Sequence, residues 1–182
     1  TVAAWAIGAR EGILYLRAEY EYLREGLEAV LDRRRRLGLL GDHVAGREGF
    51  SFDIRIQMGA GAYVCGEESS LLESAEGRRG APRDRPPFPV TFGYRGQPTA
   101  LNNAETLCAA ARVIEKGADW FAGIGTENSK GTKVFSLVGA VNQTGLVEVP
   151  MGTSLREIIY ELGGGLRPGR EFKAVQTGGP SG

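Results

Sequence analysis

Gly59-Ala60-Gly61-Ala62-Tyr63-Val64-Cys65-Gly66-Glu67-Glu68-Ser69-Ser70-Leu71-Leu72 lies near the middle of the 182-residue chain. Three closely spaced glycines mark backbone that must turn sharply or approach something closely. Two glutamates follow where a helix is predicted to begin; it spans residues 67–76 and Gly77 stops it. The stretch continues through Arg85-Pro86-Pro87-Phe88-Pro89 and ends in Leu101-Asn102-Asn103-Ala104-Glu105-Thr106. The rest of the chain reads as support for these residues, or as a second module behind them.

Working upstream, Phe50-Ser51-Phe52-Asp53-Ile54-Arg55-Ile56-Gln57-Met58 alternates apolar and polar positions and predicts a strand running directly into the glycine loop. Residues 12–17 form a second apolar run, a buried strand. Between them, residues 19–40 predict a helix. Tyr20, Leu23, Leu27, Val30, Leu31 and Leu37 recur near helical spacing, and Gly38 or Gly41 is the stop. Residues 1–9 read as the end of a helix stopped near Gly8. Strand, helix, strand, glycine loop, helix predicts a wound α/β layer with a ligand at the carboxyl ends of the strands.

Working downstream, residues 78–100 are too rich in proline and glycine for regular structure. Residues 102–116 predict a helix with Leu107, Ala110, Ala111 and Ile114 inward, followed by a helical turn holding Trp120 and Phe121. A composition shift at residues 123–131 places the domain boundary between 123 and 124. Residues 132–141 and 146–150 then predict a hairpin around Asn142-Gln143-Thr144-Gly145. Thr153 would cap a short helix over 154–162, and Phe172-Lys173-Ala174-Val175 a further strand before Gly178-Gly179-Pro180-Ser181-Gly182. Hairpin, helix, strand is a β-grasp order, and the chain is expected to stop before such a fold closes. It begins without a methionine and inside a helix, so a piece of a longer protein is expected.

The composition narrows the function classes. Twenty-two basic residues balance 22 acidic ones, so no global field points to nucleic acid or a membrane surface. Arg33-Arg34-Arg35-Arg36 is read as the basic last turn of a helix, favoured by the helix dipole, over a nucleic-acid patch, since nothing aromatic or basic continues it. Cys65 and Cys108 are the only cysteines, and two make neither a disulfide framework nor a metal site. A reduced, cytoplasmic setting is the expectation. No run approaches the ~18 apolar residues of a membrane span, and residues 1–9 lack the basic leader of a signal peptide.

Gly61 to Gly66 has the spacing of a phosphate-cradling loop, with Ser69 beyond it, but the lysine such a loop needs is Glu67 here. A carboxylate there repels a nucleotide γ-phosphate, which excludes an NTPase. A dinucleotide GxGxxG fails too, because the third glycine comes two positions late. Helix-start amides accept anionic or polar groups, and carboxylates accept hydrogen bonds from ribose hydroxyls or ring N–H groups. Together they suit a nucleoside or flavin better than a bare phosphate. The plainer role of Glu67 and Glu68 is to complement the helix dipole. Asn102 and Asn103, plain caps on one reading, with Thr106 offer amides and a hydroxyl at the next helix start. Tyr63 and Phe88 are either stacking platforms for a planar ring or plugs in the core.

GAGAYVCGEESSLLESAEGRRGAPR, RPPFP and LNNAETL, in this order and spacing, resemble the NADH- and FMN-binding subunit of respiratory complex I. The same family includes the diaphorase subunits of NAD-reducing hydrogenases and NAD-dependent formate dehydrogenases. The resemblance covers essentially the whole chain. It implies an α/β fold: part of a Rossmann-like FMN-binding domain over 1–123, then a truncated ubiquitin-like β-grasp module of the SLBB type over 124–182, which VFSLVGAVNQTGLVEVPMGTSLREII resembles. It also implies an FMN site formed by Gly66, Glu67, Glu68, Leu101, Asn102, Asn103 and Thr106, and an NADH site formed by Tyr63, Glu68, Arg85 and Phe88. Arg85 stands where the family usually has lysine before PPFP, and the two are not equivalent donors. Glu68 would disfavour a 2′-phosphate, which predicts NADH over NADPH.

The same resemblance implies a parent that moves a hydride between NAD(H) and FMN and passes electrons to a [4Fe–4S] cluster outside this chain. Its glycine-rich first flavin loop and its cluster cysteines are not found in these residues. The implied partners are NADH and other subunits of a redox complex: a thioredoxin-like [2Fe–2S] subunit, a hydrogenase, a formate dehydrogenase or complex I. The implied location is cytoplasmic, free or peripheral on the cytoplasmic side of a membrane, with no membrane span and no nucleic acid. The alternative is a non-catalytic docking or ligand-binding module derived from that family.

Overall fold

The two predicted strands upstream of the glycine loop pair in parallel. β1 (Glu11–Leu16) and β2 (Asp53–Met58) run in register from Glu11↔Asp53 to Leu16↔Met58. A parallel pair needs a crossover, and α2 (Arg24–Arg36) lies in it. α1 (Val2–Ile7), closed by Gly8 in the left-handed conformation, precedes β1. The computed structural model describes residues 1–178 and divides into two units, Thr1–Leu101 and Asn102–Gly182.

The core of the first unit gathers Ala4, Leu31, Leu40, Val44, Phe50 and Phe52, with Ile54 and Ile56 of β2 packed against it. Gly12 is a glycine because a Cβ there would lie 2.9 Å from the Phe52 ring. Arg35, inside the basic run, donates from Nε to both Asp53 carboxylate oxygens at 3.0 and 3.1 Å and from Nη2 to the Ile54 carbonyl at 2.8 Å. It ties α2 to β2, a structural task that the last-turn reading accommodates.

The predicted helix over 19–40 is shorter than its pattern. Residues Ala18–Leu23 form a 3-10 turn broken at Tyr20, and the α-helix begins at Arg24. The cause is local: Arg17 grips the Glu19 carboxylate at 2.5 and 3.0 Å while the Tyr20 amide bonds the Arg17 carbonyl at 3.0 Å. Gly38, at φ 65°, is the stop, with its amide on the Arg35 carbonyl.

β2 delivers the chain into the glycine loop. The Gly59 amide still bonds the Leu16 carbonyl, 2.8 Å away. A Cβ on Gly59 would sit 2.2 Å from the Tyr15 hydroxyl, and Gly61 has φ +85° with the Glu19 carboxylate against it. Residues Tyr63–Gly66 then make a 3-10 turn, and α3 (Glu68–Ala75) follows with Leu72 and Ala75 buried. Gly77 closes it. Beyond it the chain is irregular through residue 100 apart from a 3-10 turn, Tyr94–Gly96. The peptide bonds Arg85–Pro86 and Pro86–Pro87 are cis.

The second unit opens with α4 (Ala104–Lys116) and α5 (Ala118–Ala122). β3 (Thr132–Leu137) and β4 (Gly145–Pro150) form the predicted antiparallel hairpin, Thr132↔Pro150 to Leu137↔Gly145. A helical segment follows, with π-type pairing over Glu157–Leu162. Its cap is Ser154, not Thr153. The Ser154 amide and hydroxyl donate to the Glu157 carboxylate at 2.9 and 2.7 Å, and the Glu157 amide returns to Ser154 Oγ at 3.2 Å, a capping box. Thr153 instead donates to the Pro150 carbonyl. Val141, Val149, Ile158 and Ile159 are buried here.

Two expectations for this unit do not hold. Residues 172–175 form no strand; Phe172 and Val175 are exposed and no neighbouring strand pairs with them among the described residues. Leu107, Ala110, Ala111 and Ile114 are exposed rather than inward, and only Ala109 and Val113 of α4 are half-buried among its apolar side chains. Helical spacing fixes which side chains share a face, but not that this chain supplies the cover. The Gly179-Pro180-Ser181-Gly182 ending lies outside the described residues.

Candidate functional site

Glu67 is the residue from which the site is built. It stands one position before α3 in extended conformation and caps the helix. Its Oε2 accepts from the Ser69 amide at 3.0 Å, the Ser70 amide at 2.9 Å and the Ser69 hydroxyl at 2.5 Å. These are the orphan donors of a helix start, so capping satisfies them. The expectation that they are open to a ligand is therefore corrected: Glu67 occupies two of them. Partial burial alone would raise the Glu67 carboxyl. The Ser69 hydroxyl, the two amides and the Arg85 charge outweigh it and hold the group at about 2, against 4.5 ordinarily. An acid that strong stays ionised at neutral pH and neither gives nor takes protons there.

Arg85 completes the anionic corner. Nη2 pairs with Glu67 Oε1, and Nη1 lies 2.8 Å from Glu68 Oε1. All three side chains are between 32% and 39% exposed, reachable by a solute yet fixed by one another. A lysine offers one compact point charge here, whereas the forked guanidinium engages both glutamates.

Gly66 forms the floor beside them. Its φ is not in the left-handed region, and a Cβ on it would meet nothing within 4 Å. Neither backbone strain nor packing within the chain requires glycine at this position, unlike Gly59 and Gly61. An open, side-chain-free backbone next to two carboxylates matches the donor and acceptor edge of a flavin or nucleoside. On this observation the residues fit FMN. Tyr63 and Phe88 are 79% and 51% exposed, so neither is a core plug.

The irregular segment carrying Arg85 and Phe88 is fastened to α3. Arg83 donates through Nε to Glu73 at 2.5 Å, through Nη2 to Glu76 at 2.8 Å and through Nη1 to the Gly93 carbonyl at 3.0 Å. Its own amide donates to Ser69 Oγ at 2.9 Å. Farther along, the Arg95 amide donates to Glu76 at 2.7 Å and the Tyr94 amide to Thr99 Oγ1 at 2.9 Å. Residues 83–93 thus form a strap held along the length of α3.

Tyr63, Gly66, Glu67, Glu68, Arg85 and Phe88 all belong to the first unit, and ion pairs join Glu67, Glu68 and Arg85. Leu101 is the last residue of that unit. Asn102, Asn103 and Thr106 lie at the start of α4 in the second and are exposed. Asn103 is the cap position, but its side chain makes no capping bond, leaving its amide uncommitted to the helix. Cys65 is buried, Cys108 exposed, and both are free thiols. Among the described residues no group of three or more His, Cys, Asp or Glu could hold a metal, and no helix is long and apolar enough to cross a membrane.

Sequence reasoning passed over Ser69, Glu73, Glu76 and Arg83. Ser69 stood out only for its place after a GxxxxG spacing, and that spacing does put its hydroxyl beside the loop. Arg83 carried no local signal, because its partners depend on the fold of residues 78–93.

Comparison with known proteins identifies the family. Residues 1–112 match the family described as the Nuo51 FMN-binding domain, and residues 134–182 match the SLBB domain. The HndC subunit of the NADP-reducing hydrogenase of Solidesulfovibrio fructosivorans is 54% identical over 100% of the chain and 37% of its own length. The alpha subunit of the NAD-reducing hydrogenase HoxS of Cupriavidus necator is 53% identical over 100% of the chain and 29% of its own length. A subunit of the NADH-quinone oxidoreductase of Escherichia coli is 42% identical over 98% of the chain and 40% of its own length. A solved NAD+-reducing [NiFe]-hydrogenase in the H2-reduced state superposes with a TM-score of 0.85 at 47% identity, covering 100% of the chain and 29% of the matched chain. The chain therefore spans well under half the length of these relatives.

Proposed function

Because the chain belongs to the Nuo51 FMN-binding domain family, we propose that it supplies one wall of an FMN and NADH site in an oxidoreductase subunit. The observation that carries this reading is the corner of Gly66, Glu67, Glu68 and Arg85, open on one side and anionic at neutral pH. When bound, FMN would exchange a hydride with NAD(H) and pass electrons to a [4Fe–4S] cluster of the complete protein, outside this chain.

The protein's own residues bind and orient. Gly66 lets the flavin edge approach the backbone. Glu67, kept ionised and rigid by its cap, accepts from a ring or ribityl donor through the oxygen it shares with Arg85. Leu101, Asn102, Asn103 and Thr106 are proposed for the ribityl-phosphate end on the sequence resemblance alone. Tyr63, Arg85 and Phe88 would hold the nicotinamide nucleotide, and Glu68 would reach it and oppose a 2′-phosphate. The names of the relatives divide between NADP and NAD; for this chain the carboxylate of Glu68 favours NADH. No side chain is assigned proton transfer.

The domain boundary proposed is that between residues 123 and 124; the gap between the two family matches, which end at 112 and resume at 134, supports it, whereas the two structural units divide after Leu101. The partners proposed are NADH and the other subunits of a hydrogenase, formate dehydrogenase or complex I, including a thioredoxin-like [2Fe–2S] subunit. The proposed location is the cytoplasm, or the cytoplasmic side of a membrane within such a complex. Anaerobic addition of NADH to the complete protein tests the function: loss of the flavin absorbance is expected. A flavin that NADH leaves unchanged would favour a non-catalytic docking module.

A further inference from the structure

We propose that Ser69 is a positioning residue of the nucleotide site, whose single buried hydroxyl fastens the Glu67 carboxylate to the strap carrying Arg85 and Phe88. The inference rests on the reading of the site given above and deepens it.

The geometry is explicit. Ser69 is 1% exposed. Its Oγ lies 2.5 Å from Glu67 Oε2 and 2.9 Å from the Arg83 amide nitrogen. The direction of both bonds follows from chemistry. An amide N–H only donates, so Ser69 Oγ accepts from Arg83, and its one proton goes to the ionised Glu67, which only accepts. The hydroxyl is thus a relay with both capacities used. On one side stands the carboxylate that ends the glycine loop. On the other is the strap backbone two residues before Arg85, whose guanidinium returns to Glu67 and Glu68. Glu67, Ser69, Arg83 and Arg85 make a closed circuit, and Ser69 is its only uncharged side chain.

The Arg83 guanidinium holds the strap to the far half of α3 through Glu73 and Glu76, but that anchor lies away from Glu67. Ser69 alone connects the strap backbone to the cap among the described residues. Ser70 is a built-in control. It is equally buried, and its hydroxyl has no hydrogen-bond partner among the described residues. Both serines give their amides to Glu67, but only Ser69 reaches the strap.

The complete protein, loaded with FMN, is compared as wild type, Ser69→Ala, Ser69→Thr and Ser70→Ala. The readouts are the NAD+ dissociation constant of the oxidised protein, KM and kcat for NADH, and amide hydrogen exchange across residues 83–93. Ser69→Ala is expected to raise the NAD+ dissociation constant and the NADH KM about tenfold, the scale of one hydrogen bond to a charged group. Its kcat at saturating NADH stays near that of the wild type, and the strap amides exchange faster. Ser69→Thr keeps the hydroxyl and restores all three, while Ser70→Ala leaves them unchanged. In an Arg85→Ala background Ser69→Ala has a smaller effect, because part of its action passes through Arg85 and only the Phe88 part remains.

Equal exchange and equal affinity in Ser69→Ala and Ser70→Ala would overturn the proposal, as would independent, multiplying effects of Ser69→Ala and Arg85→Ala. If Ser69→Ala does not accumulate, Ser69→Cys, a weak donor of similar size, is read in the same way. A wild-type protein that binds no NAD+ would refute the nucleotide site itself, and the exchange comparison would still decide whether Ser69 holds the strap.

Discussion

The guanidinium of Arg85 is shared between two adjacent carboxylates, with Nη1 2.8 Å from Glu68 Oε1 and Nη2 on Glu67. Two negative charges and one positive leave a surplus of negative charge at the corner. That surplus opposes a 2′-phosphate. Glu68→Gln removes it, and a like-charge contact at a solvent-exposed site is worth about 1 kcal/mol. The ratio of kcat/KM for NADH to that for NADPH is expected to fall about fivefold. An unchanged ratio would remove Glu68 from nucleotide discrimination.

Replacing Arg85 tests the sharing itself. Lysine keeps the charge but is a single compact donor group without the planar fork. Arg85→Lys is expected to keep FMN bound and to raise the NADH KM by a few-fold, and Arg85→Ala to raise it further. Identical KM values for Arg85→Lys and Arg85→Ala would mean that the cation plays no part in nucleotide binding.

The cap on α3 sets a pH dependence. The folded Glu67 carboxyl sits at about 2, below its ordinary 4.5. A depressed acid stabilises the fold above its unfolded pKa and loses that contribution as pH falls through the folded one. The window therefore runs from about pH 5 down to about pH 2. Glu67→Gln, whose weaker cap is expected to cost about 1 kcal/mol at pH 7 in this partly solvated position, should converge on the wild type across that window. Parallel melting curves from pH 7 to 3 check this; a constant offset would show that ionisation of Glu67 does not support the helix.

Arg83 holds the strap where Glu73 and Glu76 are most buried, at 15% and 7% side-chain exposure. Burial raises the Glu76 carboxyl, and the Arg83 guanidinium with the Arg95 amide overrides it, for a net downward shift. Arg83→Met removes the nearest cation from both carboxylates, leaving Arg78 3.6 Å from each and the Arg95 amide on Glu76, and is expected to cost about 2 kcal/mol. Chemical denaturation of the two proteins measures the loss. A change under about 0.5 kcal/mol, typical of a neutral surface substitution, would mean the strap is held elsewhere.

Much of this architecture was legible in local pattern. The alternation over 50–58 located β2, and its direct entry into the glycines placed the site at the carboxyl ends of a parallel pair. Glu67 was legible as a residue beside a helix start, but not as the occupant of the amides that a ligand was expected to take. Sequence shows that a carboxylate is near a helix end, not which way it points. Arg83 and Ser69 were unreadable because their bonds span the irregular residues 78–93, where no periodicity constrains the chain. The face of α4 holding Leu107 and Ile114 failed for a different reason. Its helical period is real, but burial depends on whether something packs there. Residues 172–175 have strand propensity without a strand to pair with.

Gly66, Glu67 and Glu68 are proposed to border a bound flavin, with Arg85 on the nicotinamide-nucleotide side. The most direct test is the amount of FMN released when the complete, FMN-reconstituted protein is denatured, compared with a Gly66→Leu variant. Gly66 is exposed and a Cβ there meets nothing within 4 Å in this chain, so the variant is expected to fold, which its melting curve checks. About one FMN per wild-type protein, and almost none from the folded variant, is the predicted result. Equal FMN from both, or none from the wild type, would contradict the account.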